Sequence, residues 1–298
     1  MKRFITPYLS SIKCLSIGVL SMSLVMTSCS PEEIQEPDEQ EIDLMEEELS
    51  KAACEVPYEW LRYSQKGQYA RNSSNWKLQH PTSTQTYEKK RTDNSSLTTY
   101  SNSRFRMVGS TCNRLQFTVY AQDATSGNSS NPRCELREMT KWENGQEDEA
   151  AWSSNTSSTK SITARVKVTH VSTSGRVGVV QYHSGQDENV IVIVRKSGSQ
   201  YKLAVTGDGI NGNEYVLDSD YQLGTYFTIK IEAKDNKTRW KYNSNSFSSW
   251  KTITNSTRHR RSTCYFKAGV YNLSTKSTSS GYSRAEFTEI KVNRSESL

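Results

Sequence analysis

No stretch of this sequence repeats apolar residues at three- and four-residue spacing for the length of a helix, which excludes a helix-built domain. Histidine is scarce, at 4 residues, so candidates for an imidazole base can be weighed singly. The 6 cysteines include no Cys-x-x-Cys and no cysteine–histidine spacing of a zinc site, and no metal is expected. A glycine-rich phosphate loop, a Ser-His-Asp pattern and a cofactor fingerprint are all missing, so no cofactor is expected either. What remains is rich in serine, threonine, asparagine and glycine, with 16 tyrosines against 7 phenylalanines and 6 tryptophans. That profile belongs to short strands joined by polar turns.

The one long apolar run lies near the start, from Cys14 to Met26 behind Lys2 and Arg3, and is too short to span a membrane comfortably. It ends in "LVMTSCS", which resembles a bacterial lipobox. Residues 1–28 then read as a lipoprotein signal peptide and Cys29 as the lipidated first residue of the exported chain. Residues 29–54 follow as a tether, where ten acidic residues and no basic one precede Lys51. A self-repelling run of that kind buries almost nothing. An acidic stretch after the lipidated cysteine resembles a surface-export signal of Bacteroidetes lipoproteins. The expectation is an outer-membrane lipoprotein, exposed at the cell surface, with a periplasmic orientation left open.

Three of the 38 basic residues lie in the leader and ten of the 32 acidic ones in the tether, leaving 35 against 22 in residues 51–298. The folded part is therefore strongly cationic. Outside the cytoplasm such a surface suits an acidic polysaccharide better than a nucleic acid, and membrane contact is expected only through the lipid on Cys29.

From "NWKLQHP" onward, alternating runs recur at close spacing: 115–122, 161–171, 175–183, 189–198, 200–207, 226–235, 238–244, 264–272 and 284–293. With no helix-length segment between them, they predict an all-β, two-sheet antiparallel sandwich or β-jelly roll in one domain, residues 55–298. The chain is read as a monomer.

Three short stretches carry chemistry. In "RCELRE" (133–138), strand geometry puts Arg133, Glu135 and Arg137 on one face and Cys134 and Leu136 on the other. The first face reads as wet and charged, the second as core. In "CYFKAGVYN" (264–272), Tyr265, Lys267, Gly269 and Tyr271 share a face; in "VGVVQYHSG", Gln181 and His183 lie opposite Val180 and Tyr182. Each alone is explained by an ordinary sheet surface. Together they assemble arginines, a lysine, a carboxylate, an amide, an imidazole and a phenol.

These segments, "RCELR", "QYH" and "YFKAGVYN", stand in the order of the signature segments of polysaccharide lyase family seven, the alginate lyases of β-jelly-roll fold, which the chain resembles over about residues 57–295. Cys134, Tyr182 and Leu273 depart from the family's usual residues, and the Tyr182 position is associated with uronate preference. The resemblance implies β-elimination of a 1,4-linked uronate chain, with alginate as partner. It implies that Arg133 and Gln181 neutralise the uronate carboxylate, that His183 and Tyr271 act as base and acid, and that Tyr265, Lys267, Glu135, Arg137 and Asn272 line the substrate. For mannuronate, Tyr271 could do both proton transfers; for guluronate, His183 would be the base.

Glycoside hydrolysis needs two carboxylates flanking the bond, and the one dense acidic stretch, "ENGQEDEA" (143–150), reads as a solvated turn. A glycan-binding lipoprotein without catalysis, or a lyase for another polyuronate such as glucuronan, are the alternatives. His80 and His170 read as structural; His259, in "RHRR", is open between groove and solvent. Cys54, Cys112, Cys134 and Cys264 allow three full pairings, among which the sequence does not choose.

Overall fold

The computed structural model describes residues 76–91, 97–127, 129–139, 149–185, 187–254, 263–273 and 279–294, together with Cys54, Val56, Pro57, Trp60 and Leu61. All of them belong to one compact unit, residues 44–298. The leader, Cys29 and the acidic tether lie outside the described residues, as do His259 and most of "ENGQEDEA".

Two antiparallel sheets make up the fold, a jelly-roll sandwich as the alternating runs predict. The first holds β1 (Trp76–Pro81), β2 (Tyr87–Arg91), β5 (Arg133–Glu138), β7 (Arg176–Ser184), β8 (Asp187–Ser197), β9 (Gln200–Thr206), β10 (Tyr215–Tyr221) and β14 (Cys264–Asn272). Its order is β10-β9-β8-β7-β14-β5-β1-β2. The second holds β3 (Phe105–Val108), β4 (Arg114–Tyr120), β6 (Lys160–His170), β11 (Phe227–Lys234), β12 (Lys237–Tyr242), β13 (Lys251–Thr252) and β15 (Tyr282–Arg294), in the order β13-β12-β11-β6-β15-β4-β3.

Every second residue of these strands enters the core. Val166, Ile229 and Phe287 of the second sheet meet Leu136, Val192 and Val270 of the first, all fully buried. Phe117 anchors the centre, with the rings of Phe105 and Phe287 each 5.3 Å away. Tyr182 also faces the core, stacked 5.4 Å from Trp152 with its hydroxyl 3.4 Å from the Cys264 sulfur. The position associated with uronate preference therefore lies beneath the sheet that carries the charged residues.

Two β-bulges decide which β7 and β8 side chains face outward. Pairing of β7 with β8 skips a residue between Gly178 and Val180, so Val177, Val179, Val180 and Tyr182 all enter the core while Gly178, Gln181 and His183 face out. A second irregularity, at Asn189, brings Glu188 opposite His183.

A disulfide joins Cys54 to Cys112 across 58 residues of sequence, tying the start of the unit to the β3–β4 turn. Loop closure of that length stabilises the oxidised chain by about 4 kcal/mol. Cys134 and Cys264 are buried and not disulfide-bonded, so of the four cysteines two form a bridge. Their thiols lie on different contacts, Cys134 on the Arg104 carbonyl and Cys264 on the Tyr182 hydroxyl.

Candidate active site

The three chemistry-bearing stretches become neighbours: β14 lies between β5 and β7 in the middle of the first sheet. Register sets Lys267 beside both Arg137 and Gln181, Tyr271 beside Arg133 and Gly178, and Tyr265 beside His183. All project from the outer face. Gly269 makes the close packing of β14 on β5 possible. Its φ is +146°, and a Cβ there would fall 2.6 Å from Glu135 Cα and collide with the Cys134 carbonyl. At Gly178 a Cβ would strike Ile191, so glycine leaves room for Ile191 beneath Tyr271.

The charged face is not wet. Glu135 and Gln181 are 0% exposed, Lys267 2% and His183 5%, which corrects the expectation of an open charged surface. Neighbouring strands and the bulk of the aromatic side chains cover these groups. Glu135 is the hub. It accepts a short hydrogen bond from the Gln181 amide and one of 3.2 Å from Lys267, and Arg133 lies 3.7 Å away. Of the two arginines on its own strand, Glu135 has only Arg133 beside it. Arg137 instead donates to the carbonyls of Glu138 (2.9 Å) and Ala150 (3.3 Å) and pairs with Glu149 at 3.2 Å. Glu149 also pairs with Lys77. It is half exposed, so this end of the acidic stretch is ion-paired while still reaching solvent.

Aromatic rings fix the remaining groups. The Arg133 guanidinium lies over the Tyr271 ring at 4.2 Å, and its NH2 donates to Ser129 at 2.7 Å. Tyr265 is held between the Arg137 guanidinium at 3.8 Å and the His183 ring, stacked at 4.8 Å. Contacts of this kind contribute roughly 0.5–2 kcal/mol each and leave few rotamers to freeze when substrate arrives.

Burial and neighbours shift the titrations. Burial lowers the Lys267 ammonium to about 8, against the pull of Glu135. It lowers Arg137 too, partly offset by Tyr265, and raises the Tyr265 phenol against Arg137. Arg133 is held above its ordinary value: burial opposes its charge, but Glu135, Tyr271 and Tyr87 together outweigh burial. Burial also pushes up the carboxyl of Glu188, with Lys267 and Arg133 pulling the other way. Glu188 is the group that sequence reasoning missed. Strict alternation from Val190 places it in the core; only the bulge at Asn189 turns it to the side of His183.

One residue expected at the substrate is elsewhere. Asn272 points away from Tyr271, is fully buried and accepts a 2.9 Å hydrogen bond from Ser172, so it anchors the β6–β7 loop to the end of β14. His80 is structural as expected, buried with Nδ1 at 2.9 Å from the Pro81 oxygen and its ring 4.9 Å from Tyr100. His170 packs on Tyr282 at 4.6 Å. An apolar floor of Ile191, Ile193 and Ala204 lies beside Tyr271, separate from the main core. No group of acids, histidines and cysteines among the described residues could hold a metal ion.

The arrangement offers an anion cradle of Arg133, Lys267 and the second N–H of the Gln181 amide, with an imidazole and a phenol at its ends. The alginate lyase family model matches residues 72–294. The alginate lyase AlgAT5 from polysaccharide lyase family 7 is 34% identical, with a TM-score of 0.63 over 75% of this chain and 95% of its own. The alginate lyase from Corynebacterium sp. is 26% identical, with a TM-score of 0.66 over 81% and 99%. At 23% identity and a TM-score of 0.58, AlyA1 from Zobellia galactanivorans shares the fold over 74% of this chain and 95% of its own. No curated protein matches. With its central strands carrying the charged cradle and its matched segment spanning most of the sequence, this chain belongs to the alginate lyase family, polysaccharide lyase family 7.

Proposed function

We propose that this alginate lyase cuts its uronate chain on the outer face of β5, β14 and β7, with Arg133, Gln181, His183 and Tyr271 as its catalytic residues. The observation that supports this most is the register itself, which brings these four side chains, with Lys267 and Tyr265, onto one face of three adjacent strands.

Elimination removes the C5 proton next to a carboxylate and expels O4. Loss of that proton builds a second negative charge on the carboxylate. Donors fixed in advance lower the barrier, because they need no reorganisation as the charge grows. Arg133 and the Gln181 amide take that role. His183 or Tyr271 removes the proton and Tyr271 returns one to O4, so the proton count balances and no water is consumed. Lys267 and Tyr265 hold the ring being cut. Arg137, bound to Glu149 and two carbonyls, acts by positioning Tyr265 and through it His183. Glu135 keeps Arg133, Lys267 and Gln181 in place. These side chains face polymeric alginate, and the protein works as a monomer.

The leader makes the enzyme a lipoprotein. Residues 1–28 form the signal, Cys29 takes the lipid, the acidic residues to 54 form a tether, and residues 55–298 form the catalytic domain at the outer membrane. Membrane fractionation of a Cys29→Ser variant tests this, and an undiminished membrane fraction would overturn it. For the activity, the full chain is offered polymannuronate, polyguluronate and glucuronan separately, while ultraviolet absorbance of the unsaturated product is followed. A rise with either alginate block is expected. Binding without a rise on any polymer would instead mark a glycan-binding protein, and a rise on glucuronan alone a different lyase.

A further inference from the structure

The cationic excess of the sequence is not spent in the cradle, where Glu135, Glu149 and Glu188 balance much of the positive charge. Part of it lies on the opposite side of the sandwich. On the outer face of β11 and β12, five cations, Lys230, Lys234, Lys237, Arg239 and Lys241, accompany one carboxylate, Glu232. Register sets Lys230 directly opposite Lys241, and Lys234 directly opposite Lys237. Like charges facing each other across a strand pair destabilise a sheet. Glu232 relieves the repulsion only in part, holding Lys230 at 2.8 Å and Arg239 at 2.7 Å. The cationic row runs on through Thr163 of β6 to Lys291 of β15.

Two rings lie among these charges. After β12 the chain folds back beside that strand, with Ser248 bonded to the backbone of Trp240 at 2.8 and 3.1 Å. Phe247 and Trp250 then flank the Arg239 guanidinium at 4.1 and 4.4 Å, with Lys230 5.6 Å from Phe247 and Lys234 5.4 Å from Trp250. Both rings are partly exposed, as are Lys230 and Arg239. The face therefore joins partly exposed rings, on which the apolar side of a sugar can lie, to ammonium groups in rows about 5 Å apart, the strand spacing. A polymer with a carboxylate on every ring matches both features.

We infer that this back face is a second, non-catalytic binding surface for a polyuronate chain, distinct from the cleft that cuts it. The inference rests on the lyase reading, since its occupant is the polymeric substrate. One long chain held at the back keeps its other segments at high local concentration around the cleft, whereas a short oligomer cannot reach both.

The test separates binding from cleavage. The full chain carrying Tyr271→Phe is run through native gels containing long-chain polymannuronate, with and without Lys230→Glu, Lys234→Glu and Lys241→Glu. The parent should be strongly retarded and the triple variant should bind about tenfold or more weakly. In the otherwise unsubstituted enzyme the same three changes should raise KM for polymer and leave kcat/KM on a short oligouronate unchanged. Melting temperatures are compared in parallel; were the glutamates to impair folding, Lys→Gln at the three positions decides in their place. Undiminished retardation of the folded variant overturns the inference, as does its loss on phosphatidylglycerol vesicles with retardation by polymannuronate intact. Because retardation is read without turnover, its failure leaves the lyase reading standing.

Discussion

The two outer faces of the sandwich use charge in opposite ways. On β5, β14 and β7, cations are buried and each has a partner: Lys267 on Glu135, Arg137 on Glu149, Arg133 over Tyr271. On β11 and β12 they are partly exposed to solvent, and lysine faces lysine. A charge taken from water needs fixed partners, and those partners fix its position, which suits a group that must meet a growing charge at one atom. A charge left in water costs little and holds no fixed geometry, which suits capture of a long, repetitive polymer.

The contrast can be broken at three points, from the largest expected effect to the smallest. Glu135→Ala strands a buried lysine and the Gln181 amide, so it should cost about 3–5 kcal/mol. Urea unfolding measures this, and a loss below about 1 kcal/mol would mean that the hub carries no weight. A smaller effect is expected from pH. Lys267 titrates at about 8 rather than its ordinary 10.5, so the folded protein binds fewer protons than the unfolded chain between those values. Two consequences have opposite signs. Its contribution to stability rises with pH across that window. Its cation meanwhile disappears from the cradle, so KM for alginate should climb above about pH 8, a limb that Lys267→Arg should move to higher pH. A flat KM in the parent would detach Lys267 from substrate. The smallest effect belongs to the back face, where Lys241→Glu turns a repulsive cross-strand pair into an attractive one and should stabilise the fold by about 0.5 kcal/mol. Thermal unfolding reads it; destabilisation would mean the lysines are not in conflict.

The same contrast explains how much was legible in the sequence. Period-two alternation gave β5, β7 and β14 their faces, because hydrophobic patterning dictates which side is core. It correctly grouped Arg133, Glu135, Lys267, Gln181 and His183. It could not show that the charged side is covered, because coverage depends on which strands become neighbours and how large their side chains are. It missed Glu188 because a bulge has no reliable signature in "DENVIV". Asn272 was misplaced against the sequence's own parity, since it alternates with Tyr271 and so faces Ser172. The back face was also missed, although "KIEAKDNKTRWK" displays its lysines openly. Which of them oppose one another follows only from the hairpin register, and the rings that cover them arrive from the following loop. Cysteine pairing depended likewise on distances the sequence does not contain.

The measurement that bears most directly on the account is the initial rate of unsaturated-uronate formation by the wild type, His183→Ala and Tyr271→Phe, with melting temperature recorded for each. With polymannuronate, Tyr271→Phe should lose roughly 10²- to 10⁴-fold in rate at nearly unchanged melting temperature. His183→Ala should show its larger loss with polyguluronate. Full activity in a folded Tyr271→Phe would contradict the assignment of proton transfer to the β14 face.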